Sequence, residues 1–483
     1  MIRRRTSPSM DPVDWKVFRR QAHELLEDLL SHIEERPERD VWTEPPPSDS
    51  AAELFPEIGE GLEGIRERLR TEILPYDLGN LHPRFFGWIH GAGTPGAILA
   101  AAAEAALNTN AGGRDHVGTR LEHQVLRWFA GQFGFPDVAS GILTTGTSLA
   151  NVIALAVARE QAFPGIREAG PTALTGRPRI YVSEEGHLSI PKAAELLGLG
   201  RNAVVPVAVD DELRMRPDAL LDELRRAHAA GDRSVAVVAS LGTASTGSID
   251  PLEAIADIAR EFGVWLHTDA AFGGLVVLSD ELRPLAAGVE RSDSIAFDFH
   301  KWMHVPYSAG CVLVRDPDRH LAAFGGRPGY LRGAEHGPAG APVRWPMELG
   351  PELSRGFRAL RVWWPLIEHG RKGVAEQVER SVTLADELAD LVEAGDSFQL
   401  LHRPDLQIVV FRALGGRTEE GEIDELNREL VRRLQRDGVV LPSETTVRGR
   451  VGIRIAITNH RTTAEDLRIL MSAIEREVET IDQ

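Results

Sequence analysis

Cysteine is the scarcest chemistry-bearing residue in this sequence, and lysine, no commoner than tyrosine, is scarce as well. Its 483 residues include one cysteine, Cys311, so no intrachain disulfide can form, and the paired cysteines of an oxidising compartment are missing. A cytoplasmic protein is expected. Long apolar runs are also absent. The most lipid-like stretch, Pro95 to Leu107, is Ala-rich and broken by Glu104, and it falls well short of the roughly 20 apolar residues a membrane span needs. It predicts a buried helix of a soluble protein, with no membrane partner. Met1-Ile-Arg-Arg-Arg resembles the start of a signal peptide, but Thr6 to Pro12 stands where the apolar segment has to follow. Positive charge is in deficit: 54 Lys and Arg against 72 Asp and Glu give a net charge of −18, which repels a phosphate backbone and argues against nucleic acid as a partner. Lysine occurs only at Lys16, Lys192, Lys301 and Lys372, the other 50 basic residues being Arg. Chemistry that needs a primary amine therefore has four side chains to choose from.

What is present is ordinary globular composition, 43% hydrophobic and 26% charged, over a length that suggests two or three domains. Apolar residues recur at helical spacing from Pro12 to Ile33, followed by a Pro-rich linker at Thr43 to Ser50 and a short helix at Gly61 to Ile73. Residues 1–80 thus read as a helical arm with too little apolar surface to fold alone. Residues 81–360 alternate short apolar runs with helical stretches, the mark of an α/β fold with a mainly parallel sheet. Seven strands are expected: 141–145, 179–183, 204–209, 234–241, 264–269, 294–297 and 310–314. A long Gly/Pro/Ala-rich loop is expected at 317–344. A long helix after Glu352 then leads into a smaller α+β domain, residues 361–483, with strands at 406–411 and 451–457 and helices at 424–435 and 463–478.

Gly91-Ala-Gly-Thr-Pro-Gly96 matches a dinucleotide-binding fingerprint literally, but no second strand follows, so it reads as a tight turn into a helix. His300 and His304 are four apart without the general-base Glu of a zinc motif, and no metal is expected. Four features carry more weight. Leu143 to Asn151 is a strand running into a helix through Gly146, Thr147 and Ser148, a composition that suits phosphate at a helix N-terminus and equally a plain Ser N-cap. Val264 to Phe272 is an apolar strand ending in Asp269; at a strand's carboxyl end that acid either pairs with a cationic ligand group or caps a turn. Ser294 to Trp302 ends in Lys301 between Phe299 and Trp302, where desolvation favours a neutral, nucleophilic amine. Tyr181 to His187 brings an imidazole to another strand end. A phosphate cradle, an anion and an amine on one sheet edge match what pyridoxal 5'-phosphate requires.

Seven segments, in order, resemble the group II pyridoxal-phosphate-dependent amino-acid decarboxylases, the family of aromatic-L-amino-acid and glutamate decarboxylases. They are His82-Pro-Arg-Phe-Phe-Gly87, Thr145-Gly-Thr-Ser-Leu-Ala-Asn151, Glu185-Gly-His-Leu-Ser189, Leu241-Gly-Thr243, Thr268-Asp-Ala-Ala-Phe-Gly273, Asp298-Phe-His-Lys-Trp302 and Ile457-Thr-Asn-His-Arg-Thr-Thr463. The resemblance implies a fold type I enzyme of the pyridoxal-phosphate transferase kind. Lys301 is then the lysine that binds the cofactor aldehyde, Asp269 the partner of its ring nitrogen, and Thr147 and Ser148 its phosphate contacts. It further implies His187 and Ala271 on the two ring faces, Asp298 and His300 near the phosphate, and Thr243 among the cofactor residues. A homodimer with a swapped N-terminal arm and a shared active site is implied too. Within the long loop, Arg327-Pro-Gly-Tyr330-Leu-Arg resembles the family's mobile catalytic loop, whose Tyr supplies a proton.

The reaction so implied is loss of CO2 from an L-amino acid to give the amine, with an aromatic or otherwise bulky side chain preferred. An oxidative route to an aldehyde and a non-catalytic binding role are the alternatives. Departures bear on the substrate. This chain reads Trp88-Ile-His-Gly91 after the His-Pro-x-Phe-Phe element, so Trp88 and His90 become the candidate substrate residues. Arg114-Asp-His116 adds polar groups expected near the pocket entrance, and Ala244 stands where aromatic-specific members often have Thr.

Overall fold

The computed structural model describes residues 10–47, 56–326 and 344–483. Tyr330 and most of the expected catalytic loop lie outside the described residues. All seven expected strands form, as β1 Ser140–Thr144, β2 Pro178–Ser183, β3 Val204–Val207, β4 Arg233–Ser240, β5 Trp265–Asp269, β6 Ser294–Asp298 and β7 Gly310–Val314. They pair in the order β1-β7-β6-β5-β4-β2-β3. Strands β6, β5, β4, β2 and β3 are parallel, while β7 runs antiparallel to both neighbours. Because β1 and β6 each oppose β7, both point the same way as the parallel block. The carboxyl ends of β1, β2, β4, β5 and β6 therefore share one edge.

Strand periodicity divides the core. Ile180, Val182, Ala236, Val238, Ala296 and Val312 meet the helices Thr147–Ala162 and Ser189–Leu196 on one face. Tyr181, Val237, Leu266, Ile295, Phe297 and Cys311 meet the helices Val117–Gln132, Pro217–Ala229 and Leu252–Phe262 on the other. A second, antiparallel sheet of the C-terminal part is ordered β10-β11-β9-β8, from β8 Phe398–His402, β9 Ile408–Ala413, β10 Ser443–Val447 and β11 Arg450–Ala456.

Several expectations need correction. The loop expected from 317 begins as a helix, Pro317–Phe324, started by Pro317 and capped by Asp316, which accepts from the backbone N–H groups of Asp318 and Arg319. The helix Pro95–Leu107 buries Ala97 and Ala100 but leaves Leu99 and Leu107 about half exposed, because its alanines are apolar all round and mark no inner face. The long helix after Glu352 is two, Arg358–Glu368 and Gly370–Glu393, separated at Gly370, whose φ of +70° a β-carbon would disfavour. Strands β8 and β10 escape sequence reading. Strand β10, Ser-Glu-Thr-Thr-Val, is too polar to signal burial on either face.

Candidate active site

Strand β6 returns through β7 by a short antiparallel connection, with Asp298 opposite Gly310. Both the Phe299 and His300 N–H groups donate to the Ala309 carbonyl, at 3.0 and 3.2 Å. That closure places Lys301 at the carboxyl edge. The Gly91 turn packs so tightly on it that a β-carbon at Gly91 would lie 2.2 Å from the His300 carbonyl oxygen and 2.5 Å from that of Lys301. The glycine of the fingerprint-like motif thus serves close approach, and Thr94 with Pro95 starts the following helix.

Lys301 Nζ lies 3.2 Å from Asp298 Oδ2. This differs from the apolar setting expected: Phe299 and Trp302 are buried in the core, and the amine faces a carboxylate. The other Asp298 oxygen, Oδ1, accepts the Thr147 N–H at 2.7 Å, so the helix Thr147–Ala162 presents its first N–H to protein, not to open space. His300 Nε2 is 3.7 Å from Asp298, and the His300 ring lies 4.4 Å from that of Tyr307. Burial holds the His300 pKa below the ordinary imidazole value, partly offset by Asp298.

Two connected cavities occupy this edge. One, about 300 Å³, is lined by Thr147, Ser148, Asp298, His300 and Tyr307; the other, about 420 Å³, by Trp88, His90, Thr243, Asp269 and the β10–β11 residues Ser443, Glu444, Thr445 and Arg454. His187, Ala271 and Lys301 line both. Every site residue expected from sequence, except Tyr330, which is outside the described residues, borders this cleft. Arg114-Asp-His116 does not: His116 caps the helix Val117–Gln132 and Asp115 pairs with Arg120 at 2.8 Å. Of the four lysines only Lys301 is here. Lys192 sits exposed on the helix Ser189–Leu196.

Sequence reasoning missed several groups. Arg454 is buried without a carboxylate partner among the described residues; it donates to the carbonyls of Ala244 and Ser245, and burial lowers its pKa to about 10. Its strand was legible, but which face met the cleft depended on the unforeseen β10. The Tyr307 hydroxyl lies within hydrogen-bond distance of His90 Nδ1, at 3.2 Å, and desolvation of the phenol pushes it up to about 12. Asn151 and His267, beneath Asp269, stood in the quoted motifs at helix and strand spacings from Thr147 and Asp269, a signal that could have found them.

The residues present fit pyridoxal phosphate. Thr147 Oγ1 is buried and, among the described residues, has no hydrogen-bond partner, as a phosphate contact would be before its ligand arrives. Asp269 is 6% exposed and, among the described residues, has N–H donors but no cation, the counterpart of a protonated ring nitrogen. A β-carbon at Gly310 would come within 2.7 Å of Asp298 Oδ1, so the cradle is built to close tolerance.

The comparisons agree with this class of site. Residues 47–414 match the family model described as the pyridoxal-dependent decarboxylase conserved domain. The chain belongs to that family, and it is a pyridoxal-phosphate-dependent amino-acid decarboxylase, a carboxy-lyase of fold type I. It is 27% identical to the aromatic-L-amino-acid decarboxylase of Bacillus atrophaeus, over 95% of each chain. Identity to the cysteine sulfinic acid decarboxylase of Homo sapiens is 29%, over 90% of each. The crystal structure of Oryza sativa TDC with PLP and tryptamine superposes with a TM-score of 0.90 at 25% identity, covering 98% of this chain and 100% of that one.

Proposed function

We propose that the enzyme converts an L-amino acid with an aromatic or similarly bulky side chain to the amine and CO2. The observation that carries the substrate class is the aromatic wall at the cleft mouth. Trp88 stands 6.1 Å from both Phe85 and His90, and His90 5.8 Å from Tyr307, flat surfaces against which a ring packs favourably. When bound, pyridoxal phosphate supplies an electron sink conjugated to the substrate's α-carbon.

The chain's own residues do the rest. Lys301 is the amine that holds the aldehyde. Asp269 would pair with the ring nitrogen. Thr147 and Ser148 hold the phosphate, with Thr243 and His300 bordering the cofactor. Asp298 acts through Thr147 and Lys301, since a carboxylate would repel the phosphate directly. His187 and Ala271 flank the ring, and Trp88 and His90 meet the substrate side chain. Tyr330 returns the proton that makes the product an amine, with His187, which lines the cleft, as the other candidate donor. The exposed apolar residues of the arm, among them Val13, Trp15, Val17 and Ile65, support a homodimer in which a second copy covers them. The lack of paired cysteines supports a cytoplasmic location, and among the described residues no helix is long and apolar enough to cross a membrane.

The test is a panel of aromatic, acidic and diamino substrates assayed for CO2, amine, aldehyde and peroxide. Aromatic substrates are expected to lead in kcat/KM, with amine as product. Preference for an acidic substrate, pairing with Arg454, would overturn the substrate class. Aldehyde with peroxide as the main product would overturn the reaction.

A further inference from the structure

Below the cleft floor a chain of hydrogen bonds runs from one edge of the large sheet toward the other, and its direction can be read from chemistry alone. Trp265 Nε1 is a donor only, and it donates to Ser294 Oγ at 2.8 Å. Ser294 Oγ also lies 2.9 Å from His267 Nδ1. His267 Nε2 lies 2.9 Å from Asn151 Oδ1, which only accepts, so the ring carries its proton on Nε2 and Nδ1 accepts from Ser294. The Asn151 Nδ2 group then has two protons to give, one to Asp269 Oδ2 at 2.8 Å and one to Ser189 Oγ at 2.9 Å. Ser189 in turn donates to His187 Nδ1 through its hydroxyl at 2.9 Å and its backbone N–H at 3.2 Å. His267, Ser294 and Asn151 are fully buried and Trp265 is 4% exposed; none of the four reaches the cleft except through this chain.

The opposite direction is unsatisfactory. With the Asn151 amide flipped, its oxygen would face the Asp269 carboxylate, and only a proton on Asp269 would relieve the repulsion. Ser294 would then accept from both Trp265 and His267, leaving its hydroxyl proton without an acceptor in the chain. The Trp265 indole, which cannot accept, therefore selects one of the two directions.

We propose that His267, Ser294 and Trp265 are positioning residues. They fix the Asn151 amide so that Asp269 is presented to the cofactor ring as an acceptor-only carboxylate and His187 keeps its Nε2–H toward the cleft. Neutral His267 suits this arrangement, and burial lowers its pKa to about 4. The proposal rests on the reading of Asp269 as partner of the ring nitrogen, and its test separates the two.

Apo protein is titrated with pyridoxal phosphate and with its 1-deaza analogue, in which carbon replaces the ring nitrogen, following binding by fluorescence and the bound chromophore by absorbance. The wild type is expected to prefer the natural cofactor. Asp269→Asn is expected to lose that preference; if it does not, the Asp269 reading fails. His267→Phe and Ser294→Ala are expected to reduce the preference by about tenfold, one pKa unit at the ring nitrogen, with a changed chromophore spectrum. His267→Gln, whose amide can accept from Ser294 and donate to Asn151, is expected to restore it. If Asp269→Asn loses the preference while the buried variants keep it, or weaken both ligands equally, the positioning role is overturned. Should His267→Phe not fold, the milder Ser294→Ala carries the same comparison.

Discussion

The large sheet has a cleft at each edge, and size does not tell which of them is the active site. At the amino edge a cavity of about 580 Å³ is lined by Arg260, Arg291, Arg315 and Arg319. There each cation is already answered. Arg260 and Arg291 share Asp257, Arg319 pairs with Asp316, and Arg315 stacks on Phe135 while donating to the Ser292 carbonyl. At the carboxyl edge, among the described residues, Asp269 has no cation, Arg454 no anion and Thr147 Oγ1 no hydrogen-bond partner. Charge count favours the amino edge, whereas unanswered groups mark the carboxyl edge. A buried polar group without its partner carries a desolvation cost, and a ligand that supplies the partner removes it.

The sharpest way to break this comparison is at Lys301. Lys301→Ala is expected to abolish activity and covalent retention of the cofactor, and borohydride reduction of the wild type should label Lys301 alone. A label on Lys192 would move the site off the carboxyl edge. Asp269→Asn follows in size. A neutral amide no longer favours a protonated ring, and a loss of about three pKa units there corresponds to a rate loss on the order of 10³, with cofactor still bound. Near-wild-type turnover would remove Asp269 from its role.

Much of this edge was legible because strand ends and small-residue helix starts leave local marks. Asp269, Lys301 and the Gly146-Thr-Ser148 segment each follow an apolar run, and β-strand parallelism carried them to one place. What local pattern does not encode is pairing across hundreds of residues. Arg454 reaches the cleft by donating to the carbonyl of Ala244, 210 residues earlier, and the Lys301 amine meets Asp298 instead of apolar rings because the chain turns after β6 and brings Lys301 back toward Asp298 at i,i+3, while Phe299 and Trp302 enter the core. The polar strand β10 had no periodic signal to read.

Product partition tests the proposed role of Tyr330 as proton donor. Tyr330→Phe keeps a ring but removes the acid, so an electron-rich carbon persists longer and becomes open to O2. Less amine and a larger share of aldehyde, with peroxide and ammonia, are expected. An unchanged amine yield would transfer the proton donation to His187 or water.

Acid should loosen the fold from beneath. Burial lowers His82 to about 3 and His267, His320 and His460 to about 4, from an ordinary 6.5. The unfolded chain takes up these protons below pH 6.5 while the fold refuses them, so stability present above 6.5 is lost as pH falls toward 4. Each contributes at most about 1.4 kcal/mol per pH unit. Asp250, raised to about 6 by burial, opposes this between about 6 and 3.8, as do Glu185, Asp293 and Asp405, raised by burial too, while His300, His304 and His402, lowered by burial, add to the four. Melting temperature of the apo protein should therefore fall from pH 7 to pH 5; a flat or rising curve would contradict it.

The smallest effect belongs to the amino edge, and it decides whether the two clefts are independent. Arg260 is 74% exposed and its partner Asp257 is 60% exposed, with Arg291 holding the same carboxylate at 2.6 Å. Removing one of two cations from an exposed carboxylate leaves the other in place, and exposed pairs are screened and entropically costly to hold. Arg260→Ala is accordingly expected to leave kcat/KM and cofactor absorbance within about twofold and to shift the melting temperature by less than about 2 °C. A tenfold loss of activity with cofactor still bound would mean that the amino edge communicates with Asp269. The route would be β5, which begins in the amino-edge cleft at Trp265 and ends in the carboxyl-edge cleft at Asp269. The arginine content of the amino edge would then have to be read as functional after all.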